Sequence, residues 1–132
     1  MNRKKEREQC FCLIFEEIFS NDTPKDIIAA SVESRDFETT DYIISTFCGV
    51  IENKEKIDSL IAENLNSWTI DRISKTALAI LRLAVYEIMF MEDIPESVSA
   101  NEAVELAKIY CKEDDAKFIN GVLSSVIKKK NG

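Results

Sequence analysis

The sequence TIDRISKTALAILRLAVYEIMFM, residues 69–91, decides the fold. Apolar side chains recur in it every three or four residues, at Ile70, Ile73, Ala77, Ile80, Leu81, Ala84, Val85 and Ile88. A period of about 3.6 residues places such side chains on one face of an α-helix. We therefore predict one helix from about residue 69 to residue 91, lying at the centre of the core.

Two further helices are predicted downstream of this stretch. Pro95 interrupts the chain, and Ser97 or Ser99 is suited to cap the helix that follows. The apolar residues of that helix are Ala103, Val104, Leu106, Ala107 and Tyr110. A loop is predicted over residues 112–115. The last helix then has an apolar face made of Ile119, Val122, Leu123, Val126 and Ile127.

Three helices are predicted upstream. The first spans about residues 3–19, because Phe11, Ile14, Phe15 and Ile18 follow the helical spacing. Pro24 suits the first position of a short second helix. The sequence Thr39-Thr40-Asp41 opens a long third helix that continues to Leu65, with Gly49 as the position that weakens or bends it.

Alternating apolar and polar residues, the pattern of a β-strand, do not compete with these helices anywhere. The chain has 132 residues with only 3 Gly and 2 Pro, which is typical of long helices joined by short loops. We predict an all-α protein, with six or so helices in one bundle-like domain over residues 1–132. Trp68, which stands alone before the central stretch, is interpreted as a side chain that fills space in the hydrophobic core.

The composition argues against several classes of function. No apolar run of about 18 residues is present, and charges stand where a signal peptide needs its apolar core, so we expect no membrane span and a cytoplasmic protein. The absence of His removes Ser-His and Cys-His pairs, and three scattered glycines do not make a phosphate loop. The 4 cysteines lack the spacing of zinc knuckles and are interpreted as small apolar residues. We expect no enzyme activity, no metal and no cofactor.

Positive charge is concentrated at the two ends of a chain whose net charge is −7. The amino end carries Arg3, Lys4, Lys5 and Arg7. Cations in a first helical turn oppose the helix dipole, so their presence is easiest to explain if an anion such as an RNA phosphate binds beside them. The alternative is a frayed, solubilising terminus. The second cluster, Lys128, Lys129 and Lys130, is interpreted as a solvated tail.

Phe118 is the second candidate for an RNA contact. It lies on the flank of the last apolar face, beside Lys117, where an aromatic ring could stack an unpaired base. The alternative is a phenylalanine at the edge of the core. Gly121, within the same face, is predicted to allow a neighbouring helix to approach closely. Arg72 and Arg82 adjoin the central stripe and are interpreted as structural ion-pair partners.

Four blocks of the sequence, in their order and spacing, resemble the NusB family of transcription antitermination proteins. They are LRLAVYE at residues 81–87, IP at 94–95, NEAVELAK at 101–108 and KFINGVL at 117–123. The start, Arg3-Lys4-Lys5-Glu6-Arg7-Glu8, is similar to the arginine-rich start of that family. The resemblance runs along nearly the whole chain and is dense over its second half.

This resemblance implies a fold of two packed three-helix groups, about six to seven helices in all. It implies binding of single-stranded boxA-type RNA from ribosomal RNA leader transcripts, together with NusE, a ribosomal protein of the small subunit, in the RNA polymerase antitermination complex. By the family pattern, the RNA-binding residues would be Arg3, Lys4, Arg7, Asp114, Lys117 and Phe118. Phe15, where the family usually has tyrosine, would face NusE.

The chain departs from the family pattern at some positions. Glu6 stands where the family tends to have alanine, and lysines at 4 and 5 lack the bidentate fork of the arginines that they replace. We therefore expect weak RNA binding without the partner. Two alternatives remain: a helical interaction module or homodimer without RNA binding, and the leading module of a ribosomal RNA cytosine methyltransferase, whose catalytic domain is not in this sequence.

Overall fold

Seven α-helices and one short 3₁₀ turn form the part of the chain that the computed structural model describes, residues 1–35, 38–66 and 69–132. In chain order the helices are α1 (Arg3–Ile18), α2 (Pro24–Arg35), α3 (Asp41–Glu52), α4 (Lys54–Glu63), α5 (Lys75–Phe90), α6 (Glu96–Tyr110) and α7 (Glu113–Asn131). Helices α1, α2 and α3 contact one another, as do α5, α6 and α7. The predicted all-α fold of two three-helix groups is confirmed, with α4 packed between them on α5 and α7. Trp68 lies outside the described residues.

Helix α5 is the central helix, as predicted, and contacts α1, α3, α4, α6 and α7. Its predicted stripe from Ala77 to Ile88 is buried. The helix begins later than predicted, however, because the hydroxyl of Ser74 caps it by accepting from the backbone N–H of Ala77 at 3.1 Å. Ile70 belongs to the 3₁₀ turn Ile70–Arg72, and Ile73 is extended. The spacing of the apolar residues therefore predicted which side chains are buried, but it did not predict where the helix begins.

The long helix predicted from residue 41 to residue 65 is wrong, because Asn53 divides it into α3 and α4. The side-chain amide of Asn53 donates to the carbonyl of Gly49 at 2.8 Å, which satisfies the end of α3. Gly49 itself does not end the helix, which continues to Glu52. A Cβ at this position would overlap the phenol ring of Tyr86, so the glycine makes room for α5.

The starts of α6 and α7 also differ from the prediction. Neither Ser97 nor Ser99 caps α6, which follows Pro95 directly; Ser99 lies inside the helix and is buried. The loop predicted at residues 112–115 is wrong, because α7 begins at Glu113. Asp115 accepts from the backbone N–H of Lys112 at 3.2 Å, and carboxylates in a first helical turn favour the helix dipole.

The predicted face of α7 is buried or half-buried, and the three lysines at its end are exposed as predicted, but two of them make contacts that the sequence did not indicate. Lys130 donates from Nζ to the carbonyl of Ile88 at 2.8 Å and lies 2.8 Å from Glu96. Lys129 donates to the carbonyl of Glu63 at 3.4 Å. Cations beside the last carbonyls of α5 and α4 are favourable, so these lysines fasten α7 to the fold. Among the described residues, no helix has the length and apolar character to cross a bilayer.

Candidate RNA interface

The basic amino end is an ordered first turn of α1. The side chain of Asn2 accepts from the backbone N–H of Lys5 at 2.9 Å and so caps the helix. Lys4 and Lys5 are exposed, and 63% of the Lys4 side chain is accessible. The frayed terminus that was the alternative interpretation is therefore not what the structure shows.

The exposed cations have only loose acidic partners. Lys4 lies 3.4 Å from Glu102 of α6, and Lys5 lies 3.6 Å from Glu8. Exposed pairs of this kind contribute about 0–1 kcal/mol, so a phosphate can replace the carboxylate at small cost. Arg3 is half-exposed and places its guanidinium 4.2 Å from the centre of the Tyr42 ring, which fixes its direction.

Arg7 has a different position from the one predicted for an RNA contact. Only 7% of its side chain is exposed, and its Nε lies 2.8 Å from the carboxylate of Glu87. The hydroxyl of Tyr42 donates to the same carboxylate, as does Ser99 at 2.7 Å. The side chains come from α1, α3, α5 and α6, so this buried cluster joins the two three-helix groups.

The charge on Arg7 is kept by its surroundings. Burial lowers its pKa, but the hydrogen bond and the charge of Glu87 raise it by more, so the net shift is upward. Contact with a phosphate would require this pair to open and leave the buried Glu87 carboxylate without its cation. Arg7 is therefore buried in the structure, where its ion pair fastens the first turn of α1 to α5.

The aromatic part of the predicted interface is accessible. Phe118 is half-buried on α7 and lies between two open grooves, while Asp114 and Lys117 are exposed beside it. The first groove, of about 250 Å³, is lined by Arg72, Ile73, Ser74, Asp114, Asp115 and Phe118. The second, of about 310 Å³, is lined by Asn64, Leu65, Asn66, Lys117, Phe118, Gly121, Val122 and Ser125.

The two parts of the predicted interface lie at opposite ends of α5. The first turn of α1 is held near Glu87, close to the carboxyl end of that helix. Phe118 lies in a groove with Ser74, the residue that caps its amino end. At about 1.5 Å per residue, the separation along α5 is roughly 20 Å. The predicted residues therefore form two clusters, not one.

Phe15 belongs to a third surface, a row of aromatic rings along α1 and the end of α6. Phe15 is half-buried, and its ring centre lies 5.1 Å from that of Phe19 and 6.3 Å from that of Phe11. Phe11 is also 4.9 Å from Tyr110. Phe19 is 66% exposed, and exposed apolar patches mark interaction sites. We call this row the aromatic face.

Several other residues singled out in the sequence contribute to the fold and not to the candidate interface. Arg82 makes a two-pronged pair with Asp58, at 2.9 and 2.8 Å, which confirms its interpretation as a structural ion-pair partner. Cys10, Cys48 and Cys111 are free thiols, and burial raises the pKa of the Cys10 thiol, which keeps it protonated. Within the described ranges, no group of three or more acidic or cysteine side chains is placed to hold a metal ion.

Sequence reasoning missed the acidic centre of the buried cluster. Glu87, Tyr42 and Ser99 are distant from Arg7 in sequence, and nothing in their local patterns connects them. One signal was available: Arg7 stands in helical register with Phe11, Ile14 and Ile18, so a cation occupied the apolar stripe. A cation on such a stripe requires a buried partner.

Comparisons with known proteins agree with this fold and identify the family. The sequence model of the NusB family matches residues 4–128. The transcription antitermination protein NusB of Clostridium novyi strain NT is 46% identical over 132 residues, covering 97% of this chain and 99% of that protein. Among solved structures, NusB of T. maritima has a TM-score of 0.87 at 31% identity, covering 98% of this chain and 92% of that one. A structure of the antitermination factors NusB and NusE in complex with double-stranded RNA has a TM-score of 0.86 at 28% identity, covering 96% of both chains.

Proposed function

The chain belongs to the NusB family, and on that premise we propose that it is an RNA-binding transcription antitermination factor and not an enzyme. It binds boxA-type RNA of ribosomal RNA leader transcripts together with NusE, within the RNA polymerase antitermination complex. It acts in the cytoplasm as a single domain of residues 1–132.

The observation that carries this proposal is the ordered, exposed basic turn at the start of α1. Lys4 and Lys5 project from a capped helix and have only weak carboxylate partners, while Arg3 beside them is half-exposed and pairs with the largely buried Glu6 at 3.3 Å. This is the arrangement that phosphate contacts require, because the cations are fixed in place but not neutralised. We assign these three residues to the RNA backbone, and Arg7 to holding their turn in place.

Phe118 is the contact for an unpaired base. An aromatic ring between two open grooves offers a stacking surface, and Lys117 and Asp114 stand exposed beside it for polar contacts. The bases of a duplex are already stacked on one another, so this contact favours single-stranded RNA. A single-stranded boxA RNA should therefore bind more tightly than the same sequence in a duplex.

The aromatic face, which includes Phe15, is the surface for NusE. It lies on α1 and the end of α6, whereas Phe118 lies on α7, so NusE and the RNA base contact different side chains. Loose exposed cations give modest affinity alone, and a partner that contributes further contacts raises it.

The deciding experiment is a titration of a boxA-type RNA with the protein, with and without NusE, at two ionic strengths. We expect tighter binding with NusE and weaker binding at higher salt. Replacing Lys4 and Lys5 by alanine should reduce the slope of log K against log salt by about one for each lost phosphate contact. Lys128→Ala is the matched control. Equal affinity for a scrambled RNA would contradict the proposal.

The second candidate is a homodimer or protein-interaction module that does not bind RNA. The exposed rings of the aromatic face favour it, since two copies could pack these faces together. Sedimentation at several concentrations distinguishes the two. A stable dimer that binds no RNA even with NusE would support the second candidate.

A further inference from the structure

We propose that the groove on the Gly121 side of Phe118, which we call the Gly121 groove, holds one unpaired RNA base, with Phe118 stacking on its face and Asn66 contacting its edge. This inference rests on the proposed function and assigns a specific subsite to it.

The groove is open because residue 121 has no side chain. Gly121 follows Phe118 by one helical turn on α7 and is exposed. A Cβ built at this position meets no atom within 4 Å, so the predicted close approach of another helix is wrong. Glycine weakens a helix interior, and neither packing nor a positive φ requires it here. Its structural consequence is free space beside the Phe118 ring.

The opposite wall of the groove is rigid. Asn64 donates from Nδ2 to the carbonyl of Leu60 at 2.7 Å, and its Oδ1 accepts from the hydroxyl of Ser125 at 2.6 Å. These bonds fasten the end of α4 to α7. Leu65 and Val122 are buried and form an apolar floor. A preformed cleft of this kind binds a flat ligand without the cost of ordering its walls.

Asn66 provides a polar group at the mouth of the groove. It is exposed and has a φ of 56°, a left-handed conformation that asparagine tolerates better than most residues. Its amide can donate and accept at once, which suits the edge of a base. Lys117, exposed on the same rim, is suited to the adjoining phosphate.

Charge distinguishes the Gly121 groove from the groove on the other side of Phe118. Asp114, Asp115 and Arg72 line the other groove, so its net charge is negative and repels a phosphate. No acidic residue is among the described residues that line the Gly121 groove, and one lysine is. A nucleotide, which carries a base and a negative charge, therefore fits the Gly121 groove better.

Gly121→Leu tests the inference, because it fills the groove from an exposed helix position. The matched control is Gly121→Ala, which adds a methyl group in open space. With NusE present, we expect boxA-type RNA to bind Gly121→Leu about tenfold more weakly than Gly121→Ala, the loss typical of one stacked base. Thermal melting of both variants checks that the fold is unchanged.

A set of RNAs, each with one abasic nucleotide, identifies the base. At one position the abasic RNA should bind the native protein about tenfold more weakly, yet bind Gly121→Leu no more weakly than intact RNA does. Asn66→Gly keeps the positive φ but removes the amide. It should relax the preference for the base at that same position.

The outcomes separate this inference from the proposed function. If Gly121→Leu binds as well as Gly121→Ala while the Lys4 and Lys5 double variant loses affinity, the inference is overturned and the proposed function stands. Loss of affinity in Arg72→Ala but not in Gly121→Leu would place the base in the other groove and also overturn it. No RNA binding by the native protein with NusE would overturn both.

Discussion

At the scale of single residues, Glu87 is the side chain on which the junction of the two helical groups depends. Only 1% of it is exposed, and it accepts hydrogen bonds from Arg7, Tyr42 and Ser99. Its charge is tolerable only because it is paired and hydrogen-bonded. Loss of one partner therefore lowers the free energy of unfolding by more than the contact itself contributes, because a buried charge remains.

We predict that Arg7→Ala lowers the free energy of unfolding by about 3–5 kcal/mol, the usual cost of breaking a buried ion pair. Urea denaturation measures this change. Arg3→Ala, which removes a half-exposed cation from the same helix, is the control and should cost less than about 1 kcal/mol. Equal small effects for both variants would show that the Glu87 cluster is not needed for stability.

The pH dependence of stability gives a second prediction at this scale. Burial, and then the hydrogen bond to Glu8, raise the pKa of Tyr110 to about 12. The unfolded chain releases this proton near pH 10, so the folded state is favoured below pH 10 and loses that advantage as the pH rises to about 12. Tyr110→Phe should lose less stability than the native protein over this interval. Parallel curves of stability against pH for the two proteins would contradict the assignment.

The sequence does not separate Lys4 from Arg7. Both are cations near the amino end, and both stand in helical register with Phe11 and Ile18. Periodicity alone therefore does not predict which of the two is buried. It could not identify Glu87, because a contact across 80 residues depends on how α1 packs on α5.

At the scale of helices, periodicity identified the helical segments but joined α3 to α4 and misplaced several ends. Apolar positions continue in register through Asn53, so α3 and α4 read as one helix. The break depends on a side-chain hydrogen bond to the carbonyl of Gly49, which no repeat of apolar residues can reveal. The late start of α5 has a similar cause, the cap provided by Ser74.

Two glycines in helices give opposite predictions for the same substitution. Gly121→Ala should raise the free energy of unfolding by about 0.5–1 kcal/mol, because alanine favours the helix and its methyl group meets open space. Gly49→Ala should lower it by about 1–3 kcal/mol, because the methyl group overlaps Tyr86. Chemical denaturation of both variants measures the two changes. Changes of the same sign would refute the assigned environments.

At the scale of the whole molecule, the resemblance predicted the two three-helix groups, but not how the RNA-binding residues are distributed over them. The basic turn of α1 and the Phe118 cluster are separated by most of the length of α5. No local sequence pattern indicates the distance between these two clusters, because that distance depends on the antiparallel packing of α1 on α5. The interface that we propose is consequently bipartite, with one part for contacts to phosphates and the other for stacking a base.

A bipartite interface predicts a dependence on RNA length. The clusters are roughly 20 Å apart along α5, and a strand rising about 3.4 Å per nucleotide needs roughly six nucleotides to reach from one to the other. A boxA-type RNA shortened to three nucleotides around the stacked base should bind with a shallower salt dependence. Replacing Lys4 and Lys5 by alanine should then have no effect, while Phe118→Ala should still weaken binding. With full-length RNA both variants should weaken binding, because one strand contacts both clusters. A three-nucleotide RNA that keeps the full salt dependence would mean that the lysines and the ring act at one place, contrary to the fold.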